Sequence, residues 1–312
     1  MQTNTEHQVG LYFAGKKNMT TSRSAPHWLD RSEYPFQSRY FPVNGHVMHY
    51  IDEGEGETIL FVHGTPSWSF DFRNLIKRLR THYRCIAVDH IGFGLSDKPA
   101  RYDYATPTHS QTLEKFIIAQ QLTRFHLVVH DFGGPIGLDV AIRNPHLVGR
   151  IIVLNSWLWS SRREPEYIQL RRLLESPLLP FVYRYLNFSP RVLLPQSFGD
   201  HKLSRKIRAH YTNPFATPAQ RNGPLAFAKS LLHDQDWFEE LWQSRQVITS
   251  KPTLLIWGMK DRLISPKYLD KFQGGFPEAN VQRLVASGHF PQEEQPEQVA
   301  ELIDQFFQEL PM

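Results

Sequence analysis

Residues 127–136 read LVVHDFGGPI. With the two residues before it, FHLVVHD is a short, almost unbroken apolar run, as expected of a strand buried on both faces. The PIGLDVAIRNP that follows carries apolar residues at helical spacing and stops near Pro145, which cannot continue a helix. Between the two, Gly133 and Gly134 remove side chains where helix and strand must pack closely. Asp131 therefore stands at a sharp strand-to-helix turn. One aspartate after a strand is most often a turn or capping residue, so its meaning depends on the rest of the chain.

Outward from this unit the same alternation repeats. HVMHYIDEG reads as a strand ending in a turn, and TILFVHG and RCIAVDH as buried strands. SFDFRNLIKRLR reads as a helix for which Ser67 or Ser69 is the expected cap, and HSQTLEKFIIAQQL as an amphipathic helix. GRIIVLNS, TLLIWGMKD and NVQRLVASGH are further strands, and PEQVAELIDQFFQEL is a closing amphipathic helix. Strands alternating with helices imply an α/β fold, a mostly parallel central sheet flanked by helices. Ligands bind such sheets at the carboxyl ends of the strands. From about Trp157 the pattern changes to short, Arg-, Leu-, Pro- and Tyr-rich stretches such as YIQLRRLLESPLLPFVYRYLNF. The organisation expected is a mobile arm over residues 1–33, a core over 34–156 and 224–312, and a helical cap inserted over 157–223.

The 312 residues, 41% hydrophobic and 21% charged, are a globular composition. The formal charge of +4 is too small to argue for nucleic acid. Residues 157–212 hold ten Lys/Arg and four Asp/Glu, a local excess larger than that of the whole chain. It reads as a solvated basic face or as a field that draws anions. The single Cys85 excludes an internal disulfide and suits a reduced compartment. With no signal-peptide pattern and no apolar run long enough to span a bilayer, the expectation is a cytoplasmic protein without stable membrane anchoring, a monomer or weak homo-oligomer. GFGLSD lacks the third glycine of a dinucleotide fingerprint, and neither a Walker motif nor zinc spacing is present, so no cofactor and no metal are expected.

Three polar residues follow buried strands: Asp131, Asp261 in GMKDRLISP and His289 in ASGHFPQ. Nucleophile, acid, histidine is the chain order of α/β-hydrolases. In that reading His289 is the base and Asp261 orients it through the other ring nitrogen. Backbone N–H groups of Phe132 and of Thr65, in HGTP, would form the oxyanion hole. His63 reads as a structural residue orienting that loop, and His130 as pointing away from Asp131. A serine that displaced a leaving group from saturated carbon would form an ether, which water does not readily cleave. A carboxylate forms an ester, which a histidine-activated water can hydrolyse. Aspartate at this turn therefore points to carbon–halogen cleavage or epoxide opening.

The stretches HYIDEGEG, HGTPSWSFDFR, DHIGFGLSDKP, VVHDFGGPIGLDVAIRNP, YTNPFATPAQRNGPLAF, LLIWGMKDRLISP and SGHFPQEEQPEQVA span roughly residues 48–300. On them the chain resembles the haloalkane dehalogenases of the α/β-hydrolase superfamily. The resemblance implies a small apolar haloalkane as substrate and Asp261, after the penultimate strand, as the acid. Some members use a glutamate after the sixth strand, where this chain has Asn155. Members hold the halide with a tryptophan directly after the nucleophile, and with an asparagine of the HGNP loop or a cap tryptophan. Here Phe132 and Thr65 occupy the first two positions. The Thr65 hydroxyl, the Phe132 ring edge and the indoles of Trp157 and Trp159 are the candidate leaving-group contacts.

Other readings use the same scaffold. An epoxide hydrolase would need a cap tyrosine as acid, and Tyr167, Tyr183, Tyr185 and Tyr211 are available. A dehalogenase-like scaffold could also process a β-lactone or another strained ester. A non-catalytic binder of a small apolar ligand is disfavoured, because binding alone gives no reason to bury two acids and a histidine together.

Overall fold

The computed structural model describes residues 23–309. Eight strands form one sheet: β1 (Arg39–Val43), β2 (His46–Glu53), β3 (Glu57–Val62), β4 (Tyr83–Val88), β5 (Phe125–Asp131), β6 (Val148–Ser156), β7 (Thr253–Gly258) and β8 (Asn280–Leu284). Their order is β1-β2-β4-β3-β5-β6-β7-β8. The pairs β1–β2 and β2–β4 are antiparallel, and every later pair is parallel. The edge strand β1 has no counterpart among the strands read from the sequence.

Successive side chains of a strand face opposite sides, and the central strands divide accordingly. Leu60, Val62, Leu127, Val129, Ile151 and Val153 enter one apolar layer. It is completed by the helices α2 (Thr106–Ala119) and α3 (Gly133–Arg143), and by α9 (Gln235–Ser244) and α10 (Pro266–Gly275). Ile59, Phe61, Val128, Ile152 and Leu154 enter the other layer, with α1 (Arg73–Leu79) and α12 (Pro296–Gln308). Because both faces are covered, β5 and β7 are buried at every position. Cys85 lies in the second layer, where burial pushes its thiol upward and leaves it protonated.

Between β6 and β7 the chain leaves the sheet. It forms α4 (Tyr167–Leu174), α5 (Leu179–Leu186), α6 (Leu194–Gln196), α7 (Arg205–Thr212) and α8 (Asn222–His233) before α9. A one-turn helix, α11 (Pro291–Glu294), precedes α12. Leu225 and Ala228 of α8 pack against Leu174 of α4 and against Leu179 and Tyr183 of α5. α8 thus contacts α4 and α5 on one side and sends Phe227 into the first core layer on the other. Among the described residues no helix is long and apolar enough to cross a membrane.

Two expectations are corrected. Neither Ser67 nor Ser69 caps the helix after β3. A 3₁₀ turn over Ser69–Phe72 precedes α1, the residues at the two N-cap positions are Trp68 and Phe72, and neither caps with its side chain. The Ser69 hydroxyl instead meets Tyr34 Oη at 2.5 Å. Of the arm, residues 1–22 lie outside the described residues. Residues 23–33 are held: Leu29 is buried in the second layer, and the Asp30 N–H donates to His210 Nε2 at 3.1 Å.

Candidate active site

β5 ends in a residue of unfavourable backbone conformation. Asp131 has φ +52°, a region that costs a non-glycine residue roughly 1–2 kcal/mol. The conformation turns the chain at once into α3 and leaves the carboxylate at the strand's carboxyl end. Three glycines make the turn possible. A Cβ on Gly133 would strike the Val62 carbonyl, one on Gly134 the Ser156 hydroxyl, and one on Gly64 the Asp131 carboxylate itself. The register between β5 and β6 is irregular at His130/Asp131. There the Ser156 hydroxyl donates to the Asp131 carbonyl at 2.6 Å and ties the two strand ends together.

The structure brings Asp131, His289 and Asp261 together and buries all three. The Thr65 N–H donates to Asp131 Oδ1 at 2.7 Å. Oδ2, the other oxygen, lies 3.4 Å from His289 Nε2. On the far side of the ring, His289 Nδ1 is 2.7 Å from Asp261 Oδ2. Asp261 Oδ1 accepts the N–H groups of Leu263 and Ile264 at 2.7 and 3.0 Å. The remaining capacity of Oδ2 is filled by Asn155 Nδ2 at 2.8 Å, while Asn155 Oδ1 accepts the Gly258 N–H at 2.8 Å. Asn155 thus stands where the resemblance allows an acid, and clamps the acid that comes from the next strand.

The electrostatics follow from this packing. Burial pushes His289 downward, but the charges of Asp261 and Asp131 on its two nitrogens outweigh burial and raise it above the ordinary imidazole value. Burial pushes Asp261 upward, and the His289 charge with the two N–H donors reverses that and lowers it. The His289 ring is thus flanked by a carboxyl group on each nitrogen, Asp131 on one side and Asp261 on the other.

A second buried network lies behind the first. His130 Nε2 donates to the His289 carbonyl at 2.7 Å, and its Nδ1 lies 3.2 Å from Asp71 Oδ2. Gln292 Nε2 also donates to Asp71 Oδ2, at 2.8 Å. Burial pushes Asp71 upward, but His130 and Gln292 outweigh it and lower it. The Tyr211 hydroxyl reaches Asp71 Oδ1 at 3.2 Å and Glu293 Oε2 at 3.0 Å, and Arg73 pairs with Glu293. Glu294 receives the N–H groups of Gly288 and Gly199 at 2.7 and 2.8 Å, so one carboxylate joins the His289 loop to the cap. Asn155, Asp71, Gln292 and Glu294 were not recognised as site residues from the sequence. Only the position of Asn155 at a strand end beside that of Asp131 offered a signal.

The remaining candidates divide. Phe132 stands at the N-cap of α3, and its ring packs edge-on against Trp157 and tilted by 38° against Phe227 of α8, each at 4.7 Å between centroids. The Thr65 hydroxyl is buried and has no partner among the described residues. The indole N–H groups of Trp68 and Trp257 are taken by backbone carbonyls, whereas that of Trp157 meets no acceptor among the described residues. Trp159 is not brought to the site. It packs among Trp242, Tyr268 and Phe272, because the chain leaving β6 turns it towards α9 and α10. His63 Nδ1 donates to the Gly64 carbonyl at 2.6 Å, and its Nε2 accepts the His90 N–H at 3.0 Å, which holds the Thr65 loop. No cap tyrosine is set against Asp131: Tyr211 is spent on carboxylates, Tyr183 packs in the cap, and Tyr185 is exposed. Tyr167 lines a groove of about 500 Å³ on the cap's outer face that includes none of Asp131, Asp261 or His289.

The model of the alpha/beta hydrolase fold family matches residues 57–296. Haloalkane dehalogenase 2 of Mycobacterium tuberculosis is 33% identical over 285 residues, covering 89% of this chain and 97% of that protein. A cis-3-alkyl-4-alkyloxetan-2-one decarboxylase of Shewanella oneidensis is 31% identical over 287 residues, covering 88% of this chain and 89% of that protein. Among solved structures, the haloalkane dehalogenase DatA of Agrobacterium tumefaciens superposes with a TM-score of 0.79 at 28% identity, covering 88% of this chain and 96% of that one.

Proposed function

The chain belongs to the α/β-hydrolase fold family as a haloalkane dehalogenase-like member, and from that premise we propose that it hydrolyses a small apolar haloalkane to an alcohol and a halide. The observation that carries the reading is the state of the Asp131 carboxylate. One oxygen is fixed by the Thr65 N–H, and the other faces an imidazole that Asp261 orients.

In the first step Asp131 Oδ2 attacks the halogen-bearing carbon, the carbon–halogen bond breaks, and the electron pair leaves with the halide. Oδ1 becomes the carbonyl oxygen of an alkyl ester. Esterification removes the Asp131 charge, one of the two that raise His289. The imidazolium therefore becomes more acidic and releases its proton, which leaves with the halide as a net acid. In the second step His289 Nε2 takes a proton from water, and the hydroxide attacks the ester carbonyl. The Thr65 and Phe132 N–H groups hold the oxyanion. Collapse breaks the acyl–oxygen bond, His289 gives its proton to the alkoxide, and the Asp131 carboxylic acid left behind passes its own proton to His289, which restores both groups. The Thr65 hydroxyl and the Trp157 indole are the donors available to the halide, since Phe132 has no ring N–H. Buried Cys85 suits a reduced, cytoplasmic setting.

A β-lactone is the second reading. The absence of a ring donor at Phe132 favours it, since ring opening releases no halide, and so does the similarity to the Shewanella decarboxylase.

The test is a trap. His289→Phe is incubated with bromoalkanes, epoxides and β-lactones, and its intact mass is read. Dehalogenation predicts a lasting gain equal to the alkyl group less one hydrogen. A gain equal to a whole epoxide or lactone would replace the reading with ring opening. No adduct from any panel would sink covalent catalysis by Asp131.

A further inference from the structure

The cap turns an unusual face to solvent. Ile168, Leu173, Leu178, Phe181, Tyr185 and Leu186 are each more than half exposed. They are six of the eight large hydrophobic side chains so exposed among the described residues, and all lie on α4, α5 and the turn between them. Helical geometry gathers most of them on one side. Leu174 of α4, with Leu179 and Tyr183 of α5, packs inward near α8. At 100° per residue, Ile168 and Arg172 fall away from that face on α4, and Phe181, Arg184 and Tyr185 away from it on α5, with Leu178 at the N-cap of α5. The rings of Phe181 and Tyr185 stack at 5.2 Å between centroids.

The charges on these helices that find no partner among the described residues are positive. Glu164, Glu166 and Glu175 are spent on Lys271, Lys267 and Arg171. Exposed Arg163, Arg172, Arg184 and Arg191 meet no acid among the described residues. An apolar stripe with an aromatic pair, flanked by unpaired arginines, is the composition of a segment that lies in a membrane interface. A second copy of the chain fits less well, because a two-fold contact sets this surface against itself and opposes arginine to arginine.

We propose that the α4–α5 face of the cap docks reversibly on anionic phospholipid bilayers. The apolar side chains enter the headgroup boundary, and Arg172 and Arg184 meet lipid phosphates. This goes beyond the chemical reading and does not rest on it.

The test uses the full chain and flotation with two vesicle types: phosphatidylcholine alone, and phosphatidylcholine with a minor share of phosphatidylglycerol. The protein should float with the anionic vesicles, less so at raised salt, and remain behind with the neutral ones. The double variant Arg172→Gln/Arg184→Gln should partition roughly thirtyfold more weakly. Phe181→Ser/Tyr185→Ser should also weaken partitioning. Both variants alter exposed positions outside the Asp131 site, so their thermal melts should match that of the unaltered chain and report intact folding. Absence of flotation, or equal flotation with neutral vesicles, overturns the proposal. So does a sedimentation-equilibrium dimer that Phe181→Ser/Tyr185→Ser dissolves, since the face would then be a protein interface.

Discussion

At the scale of single residues, the leaving group is the part of the chemistry least provided for. Phe132 offers a ring edge where an indole N–H would be stronger, and the buried Thr65 hydroxyl lacks a partner among the described residues. Losing one donor to a developing anion costs ~3 kcal/mol, or ~100-fold in rate. Phe132→Trp should therefore raise the rate of halide release by roughly tenfold or more in a pre-steady-state burst with a bromoalkane. Thr65→Val keeps the backbone N–H that holds Asp131 Oδ1 and removes only the hydroxyl. It should lower kcat/KM by roughly tenfold while thermal stability stays level or rises, because an unpaired buried polar group is removed. A gain from neither Phe132→Trp nor a loss from Thr65→Val would place the halide elsewhere.

At the scale of elements, the β5–α3 turn and the Thr65 loop work as one unit. The turn was legible in FHLVVHDFGG, because a strand buried on both faces must be apolar, and close helix-on-strand packing leaves no room for Cβ atoms at Gly133 and Gly134. Gly64 was less legible, since its need arises from residue 131 and not from a local turn. Gly64→Ala should push the Asp131 carboxylate off the Thr65 N–H. The expected result is at least ~100-fold slower ester formation, with overpacking that costs ~1–3 kcal/mol. Stopped-flow alkylation and thermal melts of the same variant measure the two. Unchanged alkylation would mean that Oδ1 need not be held.

At the scale of the molecule, the site affects pH stability. His289 is raised in the folded state, so its contribution to stability is fully present below the ordinary imidazole value, near 6.5, and is lost as pH rises through the raised folded value. Above about pH 7 the melting temperature should fall, by roughly 2–4 °C per pH unit from this group. His289→Phe should show a flatter profile over the same range by calorimetry. Parallel slopes would show that the imidazolium between the two carboxylates does not contribute.

The local sequence by itself determined the strands β2 to β8, the turn at Asp131 and the order of Asp131, Asp261 and His289, because two-face burial and close packing act on neighbouring residues, whereas the edge strand β1 escaped it. The direction of side chains beyond the strand ends was a tertiary matter. Trp157 and Trp159 are two residues apart, yet one packs on Phe132 and the other among α9 and α10. The Asp71–His130–Gln292 network joins positions far apart in the chain through hydrogen bonds made only once the two ends of the core meet. The cap's outer face is the same kind of case. YIQLRRLLESPLLPFVYRYL contains enough apolar residues to be read as core, and only the packing of α4 and α5 near α8 decided which of them stay in contact with solvent.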